Sequence, residues 1–117
     1  MHERSLVHAL LCQVETLMRQ QQADRVLNVH VSVGEFSGVE PDLFRSAFED
    51  VVIDSPLRGA QLNLRQVPLQ ARCDRCARKF LVARFCFECP ACQSKQVTIL
   101  RGEDLMLESV TLEQAVS

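Results

Sequence analysis

Two short runs, CDRC at residues 73–76 and CPAC at 89–92, each hold a pair of thiols two residues apart, and 12 residues separate the runs. A turn carrying C-x2-C lets two sulfurs and nearby backbone amides wrap one ion, and two such turns supply four thiolates in a tetrahedron. Cys73, Cys76, Cys89 and Cys92 are therefore expected to bind a structural metal, zinc rather than iron. One C-x2-C alone could be a redox motif, but two at this separation point to metal. A closed four-sulfur site leaves no open position, so no catalytic work is expected of it. The six cysteines do not read as a disulfide framework, because five crowd into residues 73–92 while Cys12 stands apart. Thiolates on a metal suit a reducing compartment. Cys86 is expected to stay outside the metal site, and Cys12 to be a helical side chain without chemistry.

A second donor set stands at the chain start, MHE. A methionine followed by a bulky histidine is retained, which leaves the α-amine on Met1. That amine titrates near about 8, so a metal can displace its proton. The amine, the His2 backbone nitrogen and the His2 imidazole can form fused chelate rings. The Glu3 backbone nitrogen can complete a square. Tetragonal nitrogen geometry selects Ni(II) or Cu(II). Taken alone, a histidine at position 2 does not separate such a chelate from an ordinary terminus. A site there would be open and exchangeable, which suits a carrier: one metal holds the structure and another is passed on.

Other chemistries have less support. Besides His2, the histidines are His8 and His30, and no serine motif accompanies them. The run GEFSG at 34–38 lacks the glycine–lysine pattern of a phosphate loop. The chain is not expected to be an enzyme. From Arg58 to Arg84 there are six Arg and one Lys against one acid, Asp74, which leaves a zinc-ribbon nucleic-acid module as an alternative. Against it, the chain has no Tyr or Trp for stacking and a formal net charge of -2. Phe80, Val82, Phe85 and Phe87 are expected to pack around the metal. Part of the basic charge would offset the net charge of about -2 that four thiolates leave on one zinc ion. A zinc-stabilised interaction scaffold is the remaining alternative. No apolar run approaches the roughly 20 residues that span a bilayer, and the start does not read as a secretory signal, so no membrane association and a cytoplasmic protein are expected.

The elements that must position these groups follow from periodicity. Leu6, Val7, Leu10, Leu11, Val14, Leu17 and Met18 form a helical stripe over 4–21, and His8 and Cys12 fall away from its centre. VLNVHVSV (26–33) alternates as a half-buried strand with Leu27, Val29, Val31 and Val33 on one face. Pro41 and Asp42 suit the first turn of a second helix, whose apolar face is Leu43, Phe44, Ala47, Phe48, Val51 and Val52. Ala60, Leu62 and Leu64 mark a second strand, with Pro68 at its exit. VTILRG leads out of the metal module. Residues 103–113 form a third strand whose alternation falters near Ser109, as at a bulge. The expected fold is two-layer α+β: a three-stranded sheet covered by two helices, with an inserted four-cysteine zinc-ribbon module. Residues 1–69 with 99–117 would form one unit and residues 70–98 a zinc-binding unit too small for its own apolar core, held together by metal.

Taken together these parts resemble the HypA/HybF family of hydrogenase nickel-insertion proteins. The matching stretches are MHE followed by Ser5–Leu6, VSVGEFSGVEPDLFRSAFE (31–49), GAQL (59–62), CDRC and CPAC, and GEDLMLESVTLE (102–113). The resemblance implies a nickel-binding metallochaperone that carries Ni(II) as transient cargo and Zn(II) as structure. It implies delivery to the [NiFe]-hydrogenase large-subunit precursor, together with a nickel-binding GTPase accessory protein. Some members also serve urease maturation. Carried onto this chain, His2 is the key nickel ligand, with the Met1 amine and the amides of His2 and Glu3. Cys73, Cys76, Cys89 and Cys92 bind zinc. A homodimer is compatible with the resemblance. Cys86 is extra, and Phe36 stands where the family usually has leucine.

Overall fold

The computed structural model describes residues Glu3–Gln114. Its elements are α1 (Glu3–Gln20), β1 (Ala23–Gly34), α2 (Pro41–Val52), β2 (Gln61–Val67), β3 (Gln70–Cys73), β4 (Lys79–Leu81), β5 (Val97–Arg101) and β6 (Leu105–Gln114). Two three-stranded sheets result, in the orders β2-β1-β6 and β4-β3-β5.

β1 is the axis of the first sheet. Helix α2 carries the chain over so that β2 returns parallel to it, from Asn28 opposite Gln61 to Gly34 opposite Val67. β6 comes back antiparallel on the other side. The expected helical stripe is buried at Val7, Leu10, Leu11 and Val14. It packs with Phe44 and Phe48 of α2 and with Val26, Val29 and Val31 of β1 into one core. Two helices over one sheet face give the two-layer α+β architecture. Pro41 opens α2, where a missing N–H costs nothing, and Asp42 sits in its positive first turn. His8 and Cys12 lie exposed on α1.

Four details differ from the periodic reading. Leu27 is not a core residue: the register slips between Val26 and Asn28, so Leu27 is the bulged residue and Val26 takes its inward place. Leu43 is exposed on α2, whereas Phe44, Ala47, Phe48 and Val52 face the core. VTILR is more than a lead-out, because it pairs with β3 as a strand of the second sheet. The metal module also has an apolar cluster of its own, in which Leu69, Ala71 and Val82 are buried and Phe80, Val97 and Ile99 pack against them. The faltering alternation in β6 is a bulge: His30 opposes Ser109 and Val31 opposes Leu107, which leaves Glu108 unmatched.

The two sheets meet at backbone level. The Gly34 N–H donates to the Asp104 carbonyl at 2.9 Å and the Phe36 N–H to the Gly102 carbonyl at 2.7 Å. The Glu35 N–H reaches the Val67 carbonyl, and the Glu35 carboxylate accepts from the Leu69 N–H at 3.0 Å. Gly34 lies so close to Gly102 that no side chain fits between them. Among the described residues, no helix is long and apolar enough to cross a membrane.

Candidate metal centres

The two knuckles share one local geometry. In the first, the Cys73 N–H donates to the Arg78 carbonyl and the Ala77 N–H to the Cys73 carbonyl, each at 2.9 Å. In the second, the Cys89 N–H donates to the Ser94 carbonyl and the Gln93 N–H to the Cys89 carbonyl, again at 2.9 Å. Ala77 and Gln93 both take left-handed backbone angles, φ 65° and 59°, where non-glycine residues are uncommon. The same turn is thus built twice, and each copy folds its two thiols to one side.

The four sulfurs come together. Their ligand atoms all lie within 4.8 Å of one another. Sγ of Cys73 is 3.5 Å from that of Cys92, and Sγ of Cys76 is 3.6 Å from Cys89 and 3.9 Å from Cys92. A zinc–sulfur bond of about 2.3 Å puts neighbouring sulfurs of a tetrahedron about 3.8 Å apart. A disulfide would need about 2.05 Å. The cluster therefore fits a single ion and not a pair of disulfides. Cys73 and Cys89 are buried, while Cys76 and Cys92 open to solvent. Cys86 is exposed and stands outside the four-sulfur group.

The knuckle backbone prepares the thiols for charge. The Cys76 N–H, at 3.5 Å from the sulfur, pulls the Cys73 thiol down to about 6 against the opposing effect of burial, and the Arg75 N–H adds to it. Cys89 is lowered by the N–H groups of Cys92 and Ala91, the latter at 3.4 Å. At Cys92 the Ser94 N–H also favours the thiolate, but the Cys73 thiol, burial and the Cys89 and Cys76 thiols outweigh it and push Cys92 up to about 11. Neighbouring thiolates cannot all ionise without a cation between them. A divalent ion held by the four sulfurs would supply that cation.

The amino-terminal donor set is only partly within view. Met1 and His2 lie outside the described residues. Glu3 opens α1 and is half-buried. The next residue, Arg4, pairs with Asp50 of α2 at 3.8 Å, which brings the first turn of α1 beside the end of α2. His30 is half-buried on β1, opposite Asn63 and Ser109.

The sequence model of the family described as hydrogenase/urease nickel incorporation, metallochaperone, hypA matches residues 1–112. The chain belongs to the HypA family. A hydrogenase maturation factor HypA of Shewanella baltica is 38% identical over 114 residues, which is 97% of each chain. One of Desulfitobacterium hafniense is 32% identical over 97% of this chain and 100% of its own. Among solved structures, the solution structure of the Ni metallochaperone HypA from Helicobacter pylori matches with a TM-score of 0.72 and 30% identity, covering 98% of this chain and 100% of that one. Members of the HypA family are chaperones of hydrogenase nickel maturation, not catalytic enzymes, and the two-layer fold with its four-cysteine cluster is the HypA architecture.

Periodicity missed one feature of this region. Phe85 and Phe87 do not pack inside the metal module: Phe85 is 74% exposed and Phe87 36%. Instead their rings meet Phe36, at centroid distances of 5.1 and 5.9 Å. The GEFSG loop and the metal loop are thereby joined by aromatic contact across the two sheets. The signal available in sequence was the excess of large apolar residues over what so small a module can enclose.

Proposed function

We propose that this chain is a nickel carrier of hydrogenase maturation. It takes up Ni(II) through the Met1 amine, the backbone and imidazole nitrogens of His2 and the amide of Glu3. It gives the ion up to the large-subunit precursor of a [NiFe]-hydrogenase in the cytoplasm, in concert with a nickel-binding GTPase. Zn(II) in Cys73, Cys76, Cys89 and Cys92 is a permanent brace. Residues 1–69 with 99–117 act as the nickel-binding unit and 70–98 as the zinc-binding unit.

The observation that carries this reading is the family match running from residue 1, so that it takes in the MHE start as well as both thiol pairs. The chemistry is consistent with it. A closed thiolate site holds its metal, whereas a planar nitrogen site on a chain terminus opens with small backbone movements. Only the second suits cargo. The test is hydrogenase activation in cells whose own nickel-insertion protein has been deleted. The unmodified chain should restore activity. His2→Ala should not, although it folds and keeps its zinc. Equal restoration by both would refute the proposal.

A further inference from the structure

The second sheet leaves one face exposed, where Arg72 and Lys79 have no ion-pair partner among the described residues and the Thr98 hydroxyl opposite Arg72 donates to the Asp74 carboxylate at 2.7 Å. Strand register puts Arg72 of β3 directly opposite Lys79 of β4 and Thr98 of β5, and Gln70 opposite Leu81 and Arg101. Residues directly opposite one another share a face of the sheet. Ala71, Phe80 and Ile99 share the other face, which closes over the module's apolar cluster. Arg72, Lys79, Leu81 and Arg101 are all exposed, Leu81 by 61%.

Two like charges directly opposite across a strand pair destabilise a sheet. Arg72 and Lys79 stand in that relation, and none of the three ion pairs among the described residues includes either of them or Arg101. The thiolates do not explain the pair. Cys73 alternates with Arg72 along β3 and is fully buried, so its sulfur lies on the opposite side of the sheet from the Arg72 and Lys79 side chains. Arg65, by contrast, is already engaged: its Nε donates to Glu108 at 3.1 Å, and that pairing holds the Glu108 carboxyl below its ordinary range.

The bare face continues onto the first sheet. A shallow groove across Gly102 is lined by Leu100 and Arg101 together with Ser32, Arg65 and Met106, and two acids, Asp104 and Glu108, also line it, the second of them held by Arg65. Met106 is 56% exposed and Leu100 39%. Three apolar side chains, Leu81, Leu100 and Met106, thus lie along a face on which Arg72 and Lys79 have no ion-pair partner among the described residues, while Arg101 lies within electrostatic reach of Glu108. The charge of the molecule is also divided. Residues 70–98 hold six Lys and Arg against two Asp and Glu, and the rest of the chain holds seven against thirteen.

We propose that this face docks an acidic segment of a partner protein, with its carboxylates on Arg72, Lys79 and Arg101 and its apolar side chains on Leu81, Leu100 and Met106. A nucleic acid suits the face less well. The three strands of this sheet present no aromatic side chain on it for base stacking, since Phe80, their one aromatic residue, is on the other side. The exposed leucines and methionine suit protein side chains instead.

The test is a titration of the zinc-loaded, isotope-labelled protein with a 12-residue peptide alternating Glu and Leu pairs, followed by amide chemical shifts at low salt. A single-stranded oligonucleotide and a matching Lys–Leu peptide serve as comparisons. Shifts should concentrate at residues 70–72, 79–81 and 99–106. The acidic peptide should bind at least tenfold more tightly than the basic one, and its affinity should fall as salt rises. Arg72→Glu with Lys79→Glu should weaken binding at least tenfold without changing zinc content. Tighter binding of the oligonucleotide, shifts confined to α1 and α2, no binding at low salt, or undiminished binding by the charge-reversed chain would each overturn the assignment. Zinc content and the unfolding midpoint, measured on the same variant, separate a loss of docking from a loss of fold.

Discussion

Replacing Gly34 by alanine tests the joint between the two sheets. A Cβ built at Gly34 would stand 2.5 Å from both the carbonyl carbon and the oxygen of Gly102, and 2.9 Å from the Asp104 nitrogen. Non-bonded carbons rest about 3.5–4.0 Å apart, so the two backbones must separate by about 1 Å. Backbone cannot rotate away as a flexible side chain can. The same gap is spanned by the Gly34 N–H bond to Asp104 and the Phe36 N–H bond to Gly102. Overpacking costs about 1–3 kcal/mol, and each lost hydrogen bond about 1 kcal/mol, so a destabilisation of about 3–5 kcal/mol is expected. For a chain of this size that lowers Tm by on the order of 10 °C or more. Gly38→Ala is the comparison. Gly38 has φ +78° and open space around its Cβ position, so only backbone strain of about 1–2 kcal/mol applies. Both zinc-loaded variants would be melted side by side by circular dichroism. Equal losses at the two positions, or a Gly34→Ala protein within about 1 kcal/mol of the parent (about a fivefold change in the folding equilibrium), would refute the close approach.

Two further outcomes concern the thiolate site. Cys73→Ala removes one of four ligands and should abolish stoichiometric zinc, with amide exchange accelerating across residues 70–98 while the core of α1, α2 and β1 stays protected; unchanged zinc content by elemental analysis would contradict the assignment. Zinc affinity, followed by chelator competition, should rise with pH, because Cys92, pushed up to about 11, must lose a proton on binding. The dependence should steepen below pH about 6, where Cys73, lowered to about 6, must also give up a proton. The sign follows from metal and proton competing for the same sulfurs. A flat profile between about pH 5 and about pH 8 would refute it.

Much of this fold is written in period. The stripe from Leu6 to Met18 and the alternation of Val29 and Val31 meet in one core, and Val33 continues it as a buried residue, so tertiary structure and local pattern agree. The clustering of Cys73, Cys76, Cys89 and Cys92 is legible for a different reason: their spacing is what one ion would require, and it is repeated in two turns of matching hydrogen bonding. The failures are also physical. A bulge changes the face of every residue before it, which is why Leu27 and Val26 exchange roles and why no window of alternation could reveal it. Leu43 and Phe44 are equally apolar neighbours, and only the direction of the sheet decides which one is buried. The meeting of Phe36 with Phe85 and Phe87 joins residues about fifty positions apart, and the Gly34–Gly102 approach joins residues still further apart. Such contacts depend on where two sheets are set against each other, which local pattern does not encode.

On the proposed function, the working metal site is the chain start and not the cysteine cluster. It is tested most directly by titrating Ni(II) into zinc-loaded protein that keeps its own Met1 amine, beside the same protein with one residue added before Met1. Equilibrium dialysis with elemental analysis would report both metals. The expected result is one nickel per chain bound by the native start, loss of that nickel in the extended protein and in His2→Ala, and one zinc per chain retained in all three. Equal nickel binding by the extended protein, or nickel bound only as zinc is displaced from Cys73, Cys76, Cys89 and Cys92, would contradict it.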